Sequence, residues 1–297
     1  MADRLIHIGF PKTGTTYLQS SIFPHLGVNY VDFRTSAAIL NKLVYADPLD
    51  YNEVEIIEQL RDISKGVRTL FSFENLAGSP FYYKGLNRGL IPRSLKSLGF
   101  SKVIITIRNQ QTAIESYYRQ YVVQGGTLNF LEFLDLKDKR PWQSKFFNIN
   151  YLKYDLILQK YVEVFGPENV LVLSQEMLRE SRAAYVNKLC SFLGCEYMEP
   201  KELSTKSNRS LTDLSLLVLR LVNHFTYSAI SPHHLISDNL SNVYFFKFLA
   251  VIFDPYFGRL FSGKKVLVEH YGLTSQIREI YRSSNEELNT KFGIDYR

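Results

Sequence analysis

The chain of 297 residues is 45% hydrophobic and 22% charged, which provides enough apolar side chain for a sizeable core and excludes a wholly disordered protein. Its net charge of +6 indicates an anionic ligand or partner. The lysines and arginines are scattered and form no dense basic block, so the sequence predicts no nucleic-acid partner.

Strand-like and helix-like segments alternate over the first two-thirds of the chain. The strand-like segments are RLIHIGF, RTLFSF, KVIITIR and NVLVLS. The helix-like segments are TYLQSSIF, NEVEIIEQLRDIS, PRSLKSLG, QQTAIESYYRQYVVQ and YLKYDLILQKYVEVFG. This alternation predicts an α/β fold with a mostly parallel central sheet flanked by helices. From about residue 210 the pattern is mainly helical. We therefore expect one domain over 1–297, with an α/β core over about 1–209 and a helical extension over about 210–297.

Individual residues predict where some helices begin and which face they bury. Thr15 or Thr16 is expected to cap the first helix, because a threonine hydroxyl accepts from the free N–H groups of a helix start. In the second helical segment, a run of apolar residues at helical spacing predicts one buried face, formed by Val54, Ile57, Leu60 and Ile63.

Three features favour the cytoplasm. Cys190 and Cys195 end a predicted buried helix and are interpreted as small apolar core residues, not as a disulfide or a metal pair. The first residues lack the long apolar segment of a signal peptide. The apolar stretch 242–261 is interrupted by charged residues and a proline, so no transmembrane segment is predicted. That stretch is interpreted as core or lid, with peripheral contact at a membrane surface as the alternative.

The stretch GFPKTGTTY between the first strand and the first helix is typical of an anion-binding loop. Glycines allow close backbone approach, and the N–H groups of the loop and of the helix start offer positive charge. Gly9 and Gly14 have the spacing of the ATP-binding loop, but Thr15 stands where that loop has its lysine. The lysine comes earlier, at Lys12. An ordinary turn with one capping threonine is the alternative, but it does not explain three threonines beside a lysine.

Two further strands end in chemically capable residues, Glu74 and the pair Arg108-Asn109. Because neighbouring parallel strands end at the same edge of a sheet, we expect these residues to converge with the loop. A magnesium-dependent triphosphatase needs an aspartate at such a strand end to hold its metal, and neither strand supplies one. A phosphate donor that needs no metal is therefore favoured, and an ATP- or GTP-dependent phosphotransferase remains the alternative.

Two motifs together resemble the sulfotransferases, which use 3′-phosphoadenosine 5′-phosphosulfate. GFPKTGTTYLQ is similar to the family's 5′-phosphosulfate loop. IRNQQTAIESYYRQYV has an arginine at a strand end and a serine eight residues later, Arg108 and Ser116, as in the family's 3′-phosphate motif. Arginine offers a fork of donors for a phosphate and serine one more. The resemblance implies a P-loop-like nucleotide-binding core, adenosine 3′,5′-bisphosphate as product and no metal. It also implies a set of cofactor-binding residues, namely Lys12, Thr13, Gly14, Thr15, Thr16, Arg108 and Ser116.

The resemblance covers roughly the first two-thirds of the chain. Glu176, in a region that supplies a supporting helix and strand in the family, is interpreted as structural rather than catalytic. The basic segment that often completes the 3′-phosphate site has two candidates, the pair Lys206 and Arg209 and the pair Lys264 and Lys265. An ordinary solvated loop is the alternative for both.

Sulfuryl transfer needs a base for the acceptor proton and positive charge at the leaving phosphate. Glu74 is the candidate base, since His25 stands at the far end of the first helix, and Lys12 is the candidate partner of the leaving phosphate. An N-cap or salt-bridge role is the alternative for Glu74. The loop after it is rich in aromatic and cationic residues suited to sugars: Phe81, Tyr82, Tyr83, Lys84, Arg88 and Arg93. This arrangement resembles glycosaminoglycan-type enzymes and implies a bacterial-type carbohydrate sulfotransferase that acts on a polysaccharide precursor. A non-catalytic nucleotide- or glycan-binding protein is a further alternative.

Overall fold

A computed structural model describes residues 3–45, 52–81, 88–136, 147–200, 211–226 and 266–296, together with residues 228, 230 and 254. The chain divides into two compact units. The first unit contains Met1–Gln110, Asn150–Thr205 and Tyr281–Arg297, and the second contains Gln111–Ile149 and Lys206–Ile280.

The first unit contains a five-stranded parallel sheet. Its strands are β1 Arg4–Gly9, β2 Asn29–Val31, β3 Thr69–Ser72, β4 Phe100–Ile107 and β5 Val170–Ser174. Their order across the sheet is β2-β3-β1-β4-β5, and each neighbouring pair is parallel. β1 is therefore central and has β3 and β4 on its two sides. This arrangement confirms the predicted α/β fold with a parallel central sheet.

Helices follow the strands along the chain, and those of the first unit flank its sheet. In chain order, those in the described residues are α1 Thr15–Tyr17, α2 Phe33–Tyr45, α3 Glu53–Ser64, α4 Ile91–Ser97, α5 Gln110–Val123, α6 Phe130–Leu134, α7 Tyr154–Phe165, α8 Gln175–Glu180, α9 Arg182–Leu193, α10 Asp213–Asn223, α11 Leu267–His270 and α12 Thr274–Phe292. Within the same residues, no helix combines the length and the apolar character needed to cross a membrane.

Apolar side chains of adjacent strands form one side of the core of the first unit. Leu5, Leu70, Ile104 and Leu173 are each at most 1% exposed and belong to one cluster with Leu189 of α9. Burying a side chain of this size contributes about 1.5–3 kcal/mol, so these contacts help to stabilise the sheet. A rigid sheet in turn fixes the positions at which its strands end.

The sequence does not predict β2 or α2. β2 has three residues at the edge of the sheet, and only Val31 is buried, so no period of alternation can develop. α2 buries Ser36, Ile39 and Leu40. One of these three positions is polar, which weakens the apolar pattern that marks a helix face.

Two local predictions are wrong. Gly14, at φ 89°, is the N-cap of α1, and no side chain caps the helix there; Thr15 and Thr16 are already helical. In α3 the buried residues are Ile56, Leu60 and Ser64, whereas Val54 is 67% exposed. A strict spacing of three drifts by about 60° per step around a helix of 3.6 residues per turn, so the four predicted positions cannot share one face.

The second unit contains the rest of α5 together with α6, α10, α11 and the first part of α12. Tyr118 of α5 packs edge-on against Phe130 of α6, with ring centroids 5.2 Å apart. The Asn223 side chain at the end of α10 donates to the carbonyl groups of Val122 and Gly126 at 2.8 and 2.9 Å. Helix α5 ends before a turn at Gly125, whose φ of 103° favours glycine.

Candidate active site

Three strand ends meet at the carboxyl edge of the sheet. The loop after β1 lies between Glu74, which follows β3, and Arg108, which follows β4, because β1 pairs with both strands. The Thr15 hydroxyl donates to Glu74 Oε2 at 2.8 Å. Arg108 Nη1 donates to the Lys12 carbonyl at 3.2 Å. The structure therefore brings together residues that are far apart in the sequence, as the parallel-sheet argument predicts.

The loop after β1 has the backbone of a tight turn. Lys12 and Gly14 have φ values of 68° and 89°. A Cβ at Gly9 would lie 2.1 Å from Thr15 Cγ2, so the loop can return this closely only over a glycine. Residues other than glycine rarely adopt a positive φ, so the backbone of Lys12 is strained. Strain of this kind is concentrated at functional loops.

The three threonines of the loop have different surroundings. Thr13 is 1% exposed, and its hydroxyl donates to the Phe10 carbonyl at 2.7 Å. Thr15 is 5% exposed, and its hydroxyl donates to Glu74. Thr16 is exposed. An anion in the loop would therefore meet the Thr16 hydroxyl, whereas Thr13 and Thr15 would serve it through their backbone N–H groups.

Positive charge is concentrated at this edge of the sheet. Partial burial and the Arg108 guanidinium lower the pKa of Lys12 from its ordinary value, whereas the Glu74 carboxylate raises it. Burial and a like charge both disfavour the ammonium form. An anion bound at Lys12 and Arg108 would remove part of this penalty, so the edge favours a negatively charged ligand.

A buried chain of hydrogen bonds runs across the sheet below the loop. His7, at the middle of β1, is fully buried between Ser72 of β3 and Thr106 of β4. His7 Nδ1 lies 2.8 Å from Ser72 Oγ, and Nε2 lies 3.2 Å from Thr106 Oγ1. Gln19 donates to Ser72 at 3.0 Å, and Thr106 Oγ1 lies 2.9 Å from Thr13 Oγ1. Sequence reasoning missed this chain, although a histidine inside an apolar strand is a visible signal.

The chain of hydrogen bonds fixes the tautomer of His7. The Thr13 proton goes to a carbonyl oxygen, so Thr106 must donate to Thr13. The single proton of Thr106 is then used, so it accepts from His7 Nε2–H, and His7 Nδ1 accepts from Ser72. Burial lowers the pKa of His7 to about 3, which keeps the ring neutral. The loop threonine is thus held by a directional chain anchored in three strands.

Two buried tyrosines form hydrogen bonds with the segments that follow β4 and β3. The Tyr154 hydroxyl donates to the Arg108 carbonyl at 2.9 Å, and the Tyr151 hydroxyl donates to the Gly78 carbonyl at 2.6 Å. Both rings pack edge-on against Phe10, with centroid distances of 4.8 Å for Tyr154 and 5.4 Å for Tyr151. Sequence reasoning read this segment only as the start of a helix, and no local signal marks the two hydroxyl contacts.

Ser116 belongs to the second unit and is half-buried on α5, about two turns after its first residue. Its role at a 3′-phosphate stays a prediction. Tyr82, Tyr83, Lys84, Lys206, Arg209, Lys264 and Lys265 lie outside the described residues. Arg88 donates to the Tyr151 carbonyl at 2.6 Å and lies 4.7 Å from its ring centroid, so it supports Tyr151. Arg93 is exposed.

A strand, a tight loop and a helix start beside a lysine and an arginine define an α/β protein of the phosphate-binding type. The chain belongs to the sulfotransferase domain family, whose model matches residues 2–233. It is a sulfotransferase, and members of this family use 3′-phosphoadenosine 5′-phosphosulfate as donor. No curated protein matches the chain.

Several solved structures are similar in fold. A sulfotransferase from Alicyclobacillus acidocaldarius is 18% identical and has a TM-score of 0.48, over 82% of this chain and 99% of that one. Mouse sulfotransferase SULT7A1 complexed with PAP is 16% identical with a TM-score of 0.40, over 96% and 88%. The sulfotransferase domain from the curacin biosynthetic pathway is 13% identical with a TM-score of 0.39, over 84% and 98%.

Proposed function

We propose that this sulfotransferase transfers the sulfuryl group to a hydroxyl or amine of a glycan, and that the converging strand ends form its active site. The observation that carries the proposal is the placement of Lys12, Arg108 and Glu74 at one edge of the sheet, two cations and one carboxylate linked through the loop. The cations suit a donor with several phosphate charges. The carboxylate suits an acceptor that must lose a proton.

Each residue has a proposed role in the transfer. The loop N–H groups over Thr13, Gly14, Thr15 and Thr16 bind the 5′-phosphosulfate, and Arg108 and Ser116 bind the 3′-phosphate. The acceptor oxygen attacks sulfur while the bond from sulfur to the bridging phosphate oxygen breaks. Glu74 takes the acceptor proton, and Lys12 neutralises the departing phosphate of adenosine 3′,5′-bisphosphate. No metal is required in this scheme.

The glycan acceptor, the compartment and the domain boundaries are proposals of the same kind. A glutamate base and an aromatic, cationic loop after it support a polysaccharide precursor as acceptor. The free Cys190 and Cys195 thiols support the reducing cytoplasm. We treat residues 1–297 as a single sulfotransferase domain with an α/β core to about residue 209.

A comparison of two nucleotides tests the donor site. Adenosine 3′,5′-bisphosphate should bind about ten- to a hundredfold tighter than 5′-AMP, because charge-assisted contacts to the 3′-phosphate are worth ~1.5–3 kcal/mol. Arg108→Ala should remove most of that difference in calorimetry. Arg61→Ala, an exposed arginine on α3, is the matched control and should leave it unchanged. Equal affinity of the wild-type protein for the two nucleotides would exclude the proposed site.

A further inference from the structure

Behind Arg108, a ring of hydrogen bonds joins the β4–α5 corner to α8 and to the segment after α12. Glu176 Oε1 accepts from the Asn109 N–H at 3.1 Å, and Glu176 Oε2 accepts from the Tyr296 hydroxyl at 2.9 Å. The Asn285 side chain donates to the Tyr296 carbonyl at 3.3 Å and accepts from Gln110 Nε2 at 2.5 Å. The hydrogen bonds therefore start at Asn109 and end at Gln110, and the peptide bond between these two residues closes the ring.

The members of this ring are buried polar groups. Gln110, Asn285 and Tyr296 are 2%, 5% and 8% exposed. Burial and the Glu176 carboxylate raise the pKa of the Tyr296 hydroxyl, so it stays protonated and donates at any working pH. Because a buried polar group that loses its partner is costly, removing one member should disturb its neighbours and not simply expose them to water.

The ring acts on one particular peptide group, that between Arg108 and Asn109. Its carbonyl oxygen accepts from the Tyr154 hydroxyl at 2.9 Å, and its N–H donates to Glu176 at 3.1 Å. Both polar atoms of the peptide are therefore held by side chains. The orientation of this peptide fixes the direction in which Arg108 leaves the strand, and with it the position of the guanidinium that reaches Lys12.

We propose that Glu176 and Tyr296 are positioning residues for Arg108, and that through them the segment after α12 sets the preference of the enzyme for a 3′-phosphorylated nucleotide. The inference rests on the proposed function of Arg108. Neither residue touches the nucleotide. They act by holding the Arg108–Asn109 peptide in the orientation that aims the guanidinium at the 3′-phosphate.

Calorimetry with adenosine 3′,5′-bisphosphate and 5′-AMP tests this inference. Tyr296→Phe removes one hydroxyl, and Glu176→Gln keeps the shape of the side chain but removes its charge. Either variant should lower the preference for the 3′-phosphorylated nucleotide by about three- to tenfold. This is less than the full effect of one hydrogen bond to a charged group, because only part of the loss at Glu176 reaches the Arg108 contact with the 3′-phosphate. The affinity for 5′-AMP, which lacks the 3′-phosphate, should stay within about twofold.

Tyr161→Phe is the matched control. It removes a buried tyrosine hydroxyl of α7 that has no hydrogen-bond partner among the described residues, so the nucleotide preference should not change. A merely structural role of Glu176 and Tyr296 would lower the affinity for both nucleotides together or lower only the melting temperature.

Two outcomes overturn the inference in distinguishable ways. Equal affinity of the wild-type protein for the two nucleotides overturns the proposed function of Arg108, and this inference with it. A wild-type preference that is retained in full by Tyr296→Phe overturns the inference alone. Tyr296→Phe decides the question even where Glu176→Gln fails to fold, because the phenylalanine fills the same space.

Discussion

Lys12 carries two local penalties, one of backbone and one of charge, and a bound anion would relieve the second. Its backbone has a φ of 68°, and its ammonium group lies near the Arg108 guanidinium. Proteins retain such strain where the geometry serves a ligand. Lys12 also interacts with Arg108 and Glu74 at the strand ends, so we expect it to contact the phosphosulfate bridge and not merely to attract the donor from a distance.

Lys12→Ala should therefore lower kcat as well as the affinity for the donor. Removing a cation from a leaving group costs on the order of 10²–10³ in rate. The pKa of Lys12 is lowered by burial and by Arg108, so its charge is lost at a lower pH than for a free lysine. Donor kcat/KM should decline as pH rises through that pKa, and the decline should be absent in Lys12→Ala. A rise in donor KM with unchanged kcat would show that the lysine only binds.

The Glu74 carboxylate has two roles. One oxygen accepts a hydrogen bond from Thr15, and the same carboxylate is the proposed base for the acceptor proton. Two variants separate the roles. Glu74→Gln keeps an oxygen that accepts from Thr15 but cannot take a proton, so kcat should fall by about 10²–10⁴ while nucleotide affinity is preserved. Thr15→Val removes the hydrogen bond and keeps the base, so its effect on kcat should be much smaller. Equal losses of kcat in both variants would identify Glu74 as a structural partner of Thr15.

At the scale of the elements, His7 ties β1 to both of its neighbours. The ring is fully buried and its pKa is lowered to about 3, so it is neutral in the folded protein, while an unfolded chain protonates it below about pH 6.5. The unfolded state therefore binds more protons between these two values. Stability rises with pH in this window and is lost as pH falls towards the folded pKa.

His7→Gln should reduce this pH dependence. Between about pH 7 and about pH 4.5, denaturant unfolding of the wild-type protein should include a loss of about 2–3 kcal/mol that is due to His7. The glutamine variant is less stable at pH 7 but lacks this part of the slope. His270→Gln, an exposed histidine of α11, controls for the loss of one histidine. Parallel slopes for wild type and His7→Gln would mean that the ring is not held neutral.

The elements with strong local signals could be predicted from the sequence. β1, β3, β4 and β5 are short apolar runs, and α4, which has Pro92 in its first turn, corresponds to the predicted segment PRSLKSLG. β2 and α2 lack such runs. The face of α3 and the cap of α1 were wrong because each depends on geometry that spacing alone does not fix: the 3.6-residue turn in one case and the competing contact of Thr15 with Glu74 in the other.

At the scale of the whole molecule, some residues of the candidate site could likewise be predicted from the sequence and others could not. Lys12 and Arg108 belong to motifs with a fixed spacing, so they could be found in the sequence. The residues that hold them come from distant parts of the chain: Tyr154 contacts a residue 46 positions away, and Tyr296 contacts one 120 positions away. No periodicity or motif marks such pairs. They exist because the parallel sheet brings separate segments to one edge.

The arrangement of charge at that edge makes a prediction about the whole reaction. In the magnesium-dependent loops an aspartate at a neighbouring strand end holds a metal, and the metal supplies the positive charge. Here Arg108 follows β4 and Lys12 lies in the loop, so in the proposed scheme the protein's own cations supply the positive charge. Transfer from radiolabelled donor, screened over a panel of glycan acceptors, should therefore proceed equally with EDTA and with added Mg²⁺. Lys12→Ala should be slower than the wild-type protein by the same factor under both conditions. Activity that disappears with EDTA and returns with Mg²⁺ would instead indicate the phosphotransferase alternative, with ATP or GTP as donor.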